Sequence, residues 1–419
     1  MTGRAAADAT PLPAAFTRFW TGETVSSFGT YVSVLALQVI VLETLHGTVG
    51  DVGWLNSARW LPYLVLGLFA GAWVERRRRQ PVLVATDLAA GVLLGAIPVA
   101  WACGVLSLPL LLVVVMLFGT VTLLNGAASM AVLPRLVDRP LLQRAHARID
   151  GSDAVAQASG PALAGVLIKV MGAPLAVVVD AASYLFSAAM MASLRVADPI
   201  PAVTGPRNLR REIADGMRWL YKGSLGPMSV STHIWFVGNA TLGVVVPAYA
   251  LQVLDLQVLA FAITSAAAGV GALAGASVTT RVGRGIGTGR TIIGAHALSA
   301  VAVMVMAAAG LGSGVGATVV LGVGQLLHGC AMGLSNSHEM AYRQTVTPDH
   351  LLARTNTTGR AFNRAVVVVV APLAGLLATA IGERDTLVVA VVAFALACAV
   401  LAGSTVRTVD LTSRTRELE

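Results

Sequence analysis

The apolar residues of this chain form long runs separated by short polar loops. A helix needs about 20 mostly apolar residues to cross a bilayer. Twelve runs approach or exceed that length, at residues 22–44, 50–74, 81–101, 107–133, 148–171, 174–195, 227–252, 257–280, 290–310, 314–341, 355–381 and 386–404. Because a backbone in hydrocarbon must satisfy its own hydrogen bonds, the pattern predicts twelve transmembrane helices.

The composition supports this prediction. The chain is 56% hydrophobic and 12% charged, whereas soluble domains carry about 25% charged residues. Its 43 glycines provide small residues that let membrane helices approach closely. We therefore predict an all-α polytopic membrane protein, for which the lipid bilayer is a partner.

Basic residues report the orientation of the predicted helices. A net charge of +8 could indicate a nucleic-acid partner, but these residues lie in short loops rather than on one soluble face. All but five of the 29 lysines and arginines fall on one side of the predicted membrane; the exceptions are Lys169, Arg384, Arg59, Arg360 and Arg364. Cytoplasmic loops carry the excess of basic residues. We therefore predict two cytoplasmic termini and no nucleic-acid partner.

The polar stretch in the middle of the chain divides it into two halves. The predicted division is a cytoplasmic segment at 1–21, a six-helix bundle at 22–195, a cytoplasmic linker at 196–226, a second six-helix bundle at 227–404 and a cytoplasmic tail at 405–419. Within the linker, apolar residues at helical spacing oppose three arginines: Leu209, Ile213, Met217 and Leu220 against Arg210, Arg211 and Arg218. This pattern predicts an interfacial amphipathic helix, and a plain linker is the alternative.

Short segments of the first half recur in the second half. The matching pairs are 70–74 with 274–278, which lie 204 positions apart, and 141–144 with 351–354 and 163–165 with 373–375, which lie 210 apart. Two matches that share a shift of about half the chain length indicate an internal repeat. We predict a tandem duplication that gives two pseudo-symmetric six-helix bundles.

The loop after the second predicted span carries the first motif. It consists of Gly71, Glu75 and the basic residues Arg76, Arg77 and Arg79, joined by Arg78. This resembles the signature of the major facilitator superfamily, in which glycine, three residues and aspartate precede basic residues. The resemblance covers nearly the whole chain and implies the major facilitator fold, with this loop as a latch between the halves. An anchor that only fixes orientation is the alternative.

The fifth predicted span contains a second motif, Gly160-Pro161 followed by Gly165. Proline removes a backbone donor and bends a helix, and glycine allows close packing against a neighbouring helix. The segment partly resembles the Gly-Pro motif of antiporters in the superfamily, with Ala156 and Ala164 where that motif has glycine. The alternative is that these residues only serve ordinary helix packing.

Several segments resemble one branch of the superfamily, the bacterial exporters of the macrolide-efflux and enterobactin-export type. These segments are 19–29, 58–62, 133–134 and 180–184. The resemblance implies a multi-pass transporter in the bacterial cell membrane, related to antibiotic resistance. It would export bulky, largely apolar molecules, such as drugs, antibiotics, siderophores or other secondary metabolites, by proton antiport. A proton-coupled importer or facilitator, or a non-transporting receptor or scaffold, is the alternative.

No covalent chemistry is needed for this function, so the protein is not expected to be an enzyme. The chain lacks a Gly-x-x-x-x-Gly-Lys-Ser/Thr phosphate loop, which argues against transport driven by ATP. We expect no cofactor, with the proton gradient as the energy source, and a monomer. The histidines His233, His296, His328 and His338 lack the close spacing of a metal site. We interpret them as cavity or packing residues and expect no metal.

Acidic residues inside membrane spans are costly and require a partner, a water-filled cavity or a proton. They are Glu23, Asp87, Asp150, Asp153, Asp180 and Glu339. Burial disfavours the charged form of a carboxyl group, which allows it to bind and release protons. We predict proton coupling by Glu23, Asp153, Asp180 and Glu339. The alternative is a fixed ion pair, for example between Glu339 and Arg360 or Arg364.

Polar and aromatic residues inside the spans are candidates for a substrate cavity. They are Gln38, Asn125, Gln157, Trp235, Phe236, Asn239, Gln325 and Asn336. Polar groups would orient a small-molecule substrate, and aromatic rings would cover its apolar surface. The alternative is that the buried amides form hydrogen bonds between neighbouring helices.

Overall fold

The structure is a computed structural model that describes residues 11–194 and 209–411. The predicted N-terminal segment up to residue 10, the linker residues 195–208 and the tail beyond residue 411 lie outside the described residues. Thirteen α-helices occur in the described part of the chain: α1 (Ala14–Val39), α2 (Val49–Glu75), α3 (Arg79–Ala102), α4 (Leu108–Leu136), α5 (Leu142–Met171), α6 (Ala173–Ala192), α7 (Leu209–Leu220), α8 (Leu225–Ala248), α9 (Val258–Ile286), α10 (Thr288–Ala308), α11 (Gly314–Val346), α12 (Asp349–Ile381) and α13 (Glu383–Ala402).

The predicted helical membrane fold is confirmed. Within the described residues, eleven helices are long and apolar enough to cross a membrane. The remaining predicted span, 50–74, corresponds to α2, which has 27 residues. Helix α7 matches the amphipathic helix expected in the linker.

The chain divides into two compact units. In the first unit, residues 1–40 and 61–205, α6 packs against α1 and α3, α5 packs against α1, and α4 packs against α3. Large apolar side chains form its core, including Phe16, Phe19, Leu83, Val132 and Met191. These helices hold the side chains of the first candidate site in the interior of the unit.

The second unit consists of residues 41–60 and 206–419. Here α11 packs against α9 and α10, α13 packs against α8 and α10, and α12 packs against α8 and α7. A side chain at Gly329 on α11 would collide with the backbone of Ala268 on α9. Close approach of this kind gains van der Waals contact, which holds membrane helices together in the absence of a hydrophobic driving force.

The second unit takes in residues 41–60, which the predicted division assigns to the first bundle. The reason is the contact between α2 and α12. The hydroxyl of Ser57 donates to the backbone oxygen of Val368, and Gly53 lies against the backbone of Ala371. Hydropathy marks a span but not its neighbours, so it could not reveal this grouping.

The first and second halves of the chain repeat the same local irregularities. A π-helical turn follows α1 at Ile40–Thr44 and another follows α8 at Tyr249–Val253. Gly172 (φ 84°) joins α5 to α6, and Gly382 (φ 91°) joins α12 to α13. Only glycine adopts such positive φ angles at no steric cost, so both junctions require it. The matched turns extend the sequence repeat to the backbone.

Candidate functional site

The first unit holds carboxyl groups between its helices. Glu23 on α1 is half-buried and accepts a hydrogen bond from Ser129 on α4, with 2.6 Å between Oε1 and Oγ. Glu23 is one of the predicted coupling residues. The structure gives it a neutral hydroxyl partner, and no lysine or arginine among the described residues forms an ion pair with it.

Asp87 on α3 lies beside Glu23 and is buried, with 3% of its surface exposed. Its Oδ1 accepts from Asn125 Nδ2 at 2.7 Å, and its Oδ2 accepts from Ser187 Oγ at 2.7 Å. Asp87 is close enough to Glu23 for the two to interact electrostatically. We call Glu23, Asp87, Asn125, Ser129 and Ser187 the first-unit carboxyl group.

Asp87 was not among the predicted coupling residues. The signal in the sequence was its position as a single acid within the apolar run 81–101. Its partners come from α4 and α6, 38 and 100 positions away in the chain. Sequence reasoning therefore could not separate Asp87 from acids that face water or headgroups.

Two other predicted coupling residues lie in the same unit. Asp153 on α5 accepts hydrogen bonds from Ser27 and from Tyr31 Oη, the latter at 3.5 Å. Asp180 on α6 is fully buried, and its Oδ1 accepts from Ser183 Oγ at 3.1 Å. The first unit thus carries four acids on four helices; Asp87 and Asp180 are buried, Glu23 is half-buried and Asp153 is exposed.

The second unit holds the remaining predicted acid, Glu339 on α11. Its Oε1 lies 3.3 Å from Nε2 of His296 on α10, and its Oε2 accepts from Thr232 Oγ1 on α8 at 3.1 Å. The imidazole of His296 is 1% exposed and the side chain of Glu339 is 15% exposed. We call Glu339, His296, Thr232 and Ser231 the second-unit pair site.

The structure places Glu339 against His296, whereas the alternative stated for it was an ion pair with Arg360 or Arg364. His296 takes that place because α10 packs directly against α11. The guanidinium of Arg364 lies over the ring of Trp60, 3.7 Å from its centroid, and Arg360 is exposed. A cation held over an indole face gains electrostatic attraction from the ring.

Several residues proposed for a substrate cavity have partners inside their own unit. Asn125 bonds Asp87, and Gln325 donates to Thr264 Oγ1 at 3.0 Å. Trp235 stacks on His328 with a centroid distance of 6.0 Å and also contacts Phe236. Asn239 faces His328 Nε2 at 3.3 Å. These contacts favour the structural alternative for Asn125 and Gln325.

The other cavity candidates differ in exposure. Gln157 and Asn336 are exposed in this structure, and Gln38 is half-buried. For these three, a role in substrate binding stays a prediction.

The glycine-arginine loop joins α2 to α3. Glu75 ends α2, and its side chain lies outside the described part of the structure. A methyl group at Gly71 would meet no atom within 4 Å. The guanidinium of Arg77 lies over Trp73 at 5.2 Å, and Arg79, at the start of α3, is 6% exposed. The loop therefore combines an exposed arginine turn with one buried arginine.

The glycine-proline motif lies inside α5. A methyl group at Gly160 would lie 2.5 Å from Cβ of Tyr31, so only glycine lets α5 approach α1 this closely. Pro161 follows it, and Gly165 is buried. The motif thus sets the distance between two helices that carry Glu23 and Asp153.

No group of three or more histidine, cysteine, aspartate or glutamate side chains in the described part of the chain is arranged to hold a metal ion.

Comparisons with known proteins agree with this architecture. The chain is 26% identical over 365 residues to an uncharacterized MFS-type transporter, y4rN, of Sinorhizobium fredii, covering 85% of this chain and 86% of that one. Its fold is similar to the crystal structure of a bacterial homologue of iron transporter ferroportin in an inward-facing state, with a TM-score of 0.72, 16% identity and coverage of 94% and 98%. It is also similar to nucleoside transporter NupG, with a TM-score of 0.71, 10% identity and coverage of 93% and 98%.

The family model described as Major Facilitator Superfamily matches residues 19–368, which is most of the chain. The match extends from α1 into α12 and so includes both candidate sites. The protein is a membrane transporter and not an enzyme. The chain belongs to the Major Facilitator Superfamily.

Proposed function

We propose that this transporter exports bulky, largely apolar small molecules in exchange for protons, by alternating access of a binding site to the two sides of the membrane. The observation that carries the proposal is the first-unit carboxyl group. Among the described residues, Glu23 and Asp87 have only neutral hydrogen-bond partners. An acid inside a membrane span without a basic partner is neutralised most directly by a proton.

The partners of these acids suit both protonation states. Ser129 and Ser187 donate to the carboxylate, and a serine hydroxyl can also accept a hydrogen bond when the carboxyl group is protonated. Asn125 donates to the other oxygen of Asp87 in either state. A carboxyl group with partners before and after proton binding can cycle without leaving a buried polar atom unsatisfied.

Proton binding would favour one conformation of the transporter over another if the two conformations expose these acids differently. Interactions that differ between the two conformations are what allow a proton to shift their populations. The superfamily architecture supplies the two six-helix halves that such a cycle requires. Energy from the proton gradient would then drive the substrate, without any further cofactor.

The outward direction and the apolar substrate are supported by the resemblance of residues 19–29 and 58–62 to bacterial exporters. The solved structures with a similar fold include a bacterial homologue of an iron transporter and a nucleoside transporter. At such low sequence identity they support the fold, and the substrate class rests on the exporter resemblance.

The test uses the full chain in proteoliposomes with an imposed pH gradient and a panel of lipophilic dyes that includes ethidium. We expect a gradient that is acidic on the side receiving the dye to drive its accumulation. Combined substitution Glu23→Gln and Asp87→Asn should reduce the gradient-driven rate at least about tenfold. Asp150→Asn is the matched control, because Asp150 is an exposed acid on α5 outside the first-unit carboxyl group.

Three outcomes oppose the proposal. Dye movement that is unchanged when the gradient is collapsed contradicts proton antiport. Movement of dye in the same direction as protons would identify a proton-coupled importer. No transport of any dye, with no effect of neutralising Glu23, Asp153, Asp180 and Glu339 together, would identify a receptor or scaffold.

A further inference from the structure

The hydrogen bonds around His296 determine where its protons lie. Ser231 Oγ donates to the backbone oxygen of Ala397 at 2.7 Å, which uses its only hydrogen. Its contact with His296 Nδ1, at 3.2 Å, must therefore be a hydrogen bond donated by the imidazole. The second ring nitrogen, Nε2, is left facing Glu339.

This arrangement makes the second-unit pair site a site for one proton. With Nδ1 protonated, a neutral imidazole presents a lone pair on Nε2. A lone pair facing a carboxylate at 3.3 Å would be repulsive, so the contact requires one proton on the line between Nε2 and Oε1. That proton belongs either to an imidazolium beside a carboxylate or to a carboxylic acid beside a neutral imidazole.

The other titratable and charged groups near the pair are few. Arg343 lies one turn from Glu339 on α11 and interacts with it electrostatically, and Arg360 on α12 interacts with Arg343. His338, next to Glu339 in sequence, faces the backbone oxygen of Thr279 on α9. From α8, the groups that touch the pair are the hydroxyls of Ser231 and Thr232. From α13, the backbone of Ala397 bonds Ser231.

The internal repeat relates this pair to the first-unit carboxyl group. The π-helical turns, which begin at Ile40 and Tyr249, lie 209 positions apart, as do the positive-φ residues His46 and Asp255. The edge-to-face ring pair Phe118–Tyr184, at 5.7 Å, recurs as His328–Phe394 at 5.4 Å, shifted by 210. These features fix which residues correspond to one another when α1 is aligned with α8, α4 with α11 and α6 with α13.

In that register, the two polar sites occupy corresponding positions. Glu23 corresponds to Thr232 and Ser129 corresponds to Glu339, so the hydroxyl-to-carboxylate bond of the first unit recurs with the acid on the opposite helix. On the third helix of each unit, which starts at Arg79 in α3 and at Thr288 in α10, Asp87 corresponds to His296. Each half thus places two titratable groups at the junction of the same three helices.

We propose that the pair of His296 and Glu339 binds a second exchangeable proton, so that each half of the transporter carries one proton-binding site. The proton adds to the Nε2–Oε1 line and leaves from it, without any other bond being formed or broken. This inference rests on the proposed function, because it assigns the second site to the same proton-coupled cycle. It predicts that neutralising the acids of one unit leaves a titrating site in the other.

The test is infrared difference spectroscopy of the full chain in lipid nanodiscs, titrated between about pH 5 and 9 and read at the carboxyl and imidazole bands. Among the titrating signals, which include those of Glu23 and Asp87, we expect one that is lost or moved in Glu339→Gln. In His296→Gln the same signal should be lost or have its midpoint moved by about one pH unit or more, because the imidazole that shares the proton is absent. Glu339→Asp retains a carboxyl group and should retain a titration if Glu339→Gln fails to fold.

His233→Gln is the matched control, because His233 is a half-buried histidine on α8 that bonds Asn363 instead of an acid. It should leave the midpoint unchanged. If neither the carboxyl band of Glu339 nor the imidazole band of His296 changes across the whole titration, the two residues form a fixed structural pair and the proposal is overturned.

The two proposals fail separately. If dye transport in proteoliposomes depends on the pH gradient but neither His296 nor Glu339 titrates, the second site is wrong and the proposed antiport stands. If Glu339 titrates but dye transport ignores the gradient, the proposed function is wrong and the pair has no role in coupling.

Discussion

At the scale of single residues, the acids of this transporter are held by neutral donors or by imidazole. Asp87 lies between Asn125 and Ser187, and Glu339 lies between His296 and Thr232. The sequence showed that both acids fall inside apolar runs, which was enough to mark Glu339 as a candidate. It could not show their partners, because those partners come from helices that are distant in the chain.

Glu75 is the residue whose substitution tests the loop between α2 and α3. We expect Glu75→Gln to impair transport while leaving insertion into the membrane intact, because a neutral amide cannot form an ion pair with arginine. The measurement is dye transport per inserted protein in proteoliposomes. Glu43→Gln, an exposed glutamate at the end of the turn after α1, is the control. Normal transport by the Glu75 variant would leave Arg76 to Arg79 as an orientation anchor.

Gly160 tests the close approach of α5 to α1. We expect Gly160→Val to lower stability by about 1–3 kcal/mol, because the added side chain collides with Tyr31. Thermal unfolding in detergent measures the effect. Gly151→Val on the same helix is the control, since a methyl group there meets nothing within 4 Å. Equal stability of the two variants would show that the motif is not a packing contact.

At the scale of helices, hydropathy located every long helix but underestimated several of them. The predicted span 355–381 corresponds to α12, which begins at Asp349, and the span 148–171 corresponds to α5, which begins at Leu142. Hydropathy records the part of a helix that suits hydrocarbon. Backbone hydrogen bonds continue the same helix through polar residues beyond that part.

The sequence pattern also predicted helix α7 without showing which helix it packs against. Its spacing predicted an amphipathic helix at the membrane interface, and the structure packs it against α12. Asp215 bonds Arg354 at 3.3 Å, and Gly216 lies against the backbone of that residue. The apolar face was predictable from the period, whereas the surface that covers it was not.

The bond between Asp215 and Arg354 gives a prediction at this scale. We expect Asp215→Asn to speed amide hydrogen exchange in α7 while changing global stability by less than about 1 kcal/mol, because partly exposed ion pairs contribute little. Hydrogen exchange read by mass spectrometry is the measurement. Arg218→Gln is the control, because that side chain is 79% exposed and 3.9 Å from Asp215. Unchanged exchange in Asp215→Asn would mean that apolar packing alone holds α7.

At the scale of the whole molecule, the internal repeat was visible in short sequence matches and continues in the backbone. The matched junctions at Gly172 and Gly382 and the matched π-helical turns preserve local geometry. The titratable side chains differ between the two repeats, since Asp87 in the first half corresponds to His296 in the second. Sequence matching detected the internal repeat. Only the packing of the helices revealed that the positions that differ form a comparable polar site in each half.

The central claim is that the first-unit carboxyl group couples substrate movement to protons. The most direct test measures both movements together, in proteoliposomes that enclose a fluorescent pH indicator and are supplied with ethidium under an acid-inside gradient. We predict that ethidium accumulation raises the internal pH, and that Glu23→Gln with Asp87→Asn abolishes both signals. Ethidium accumulation with no change in internal pH would contradict the account.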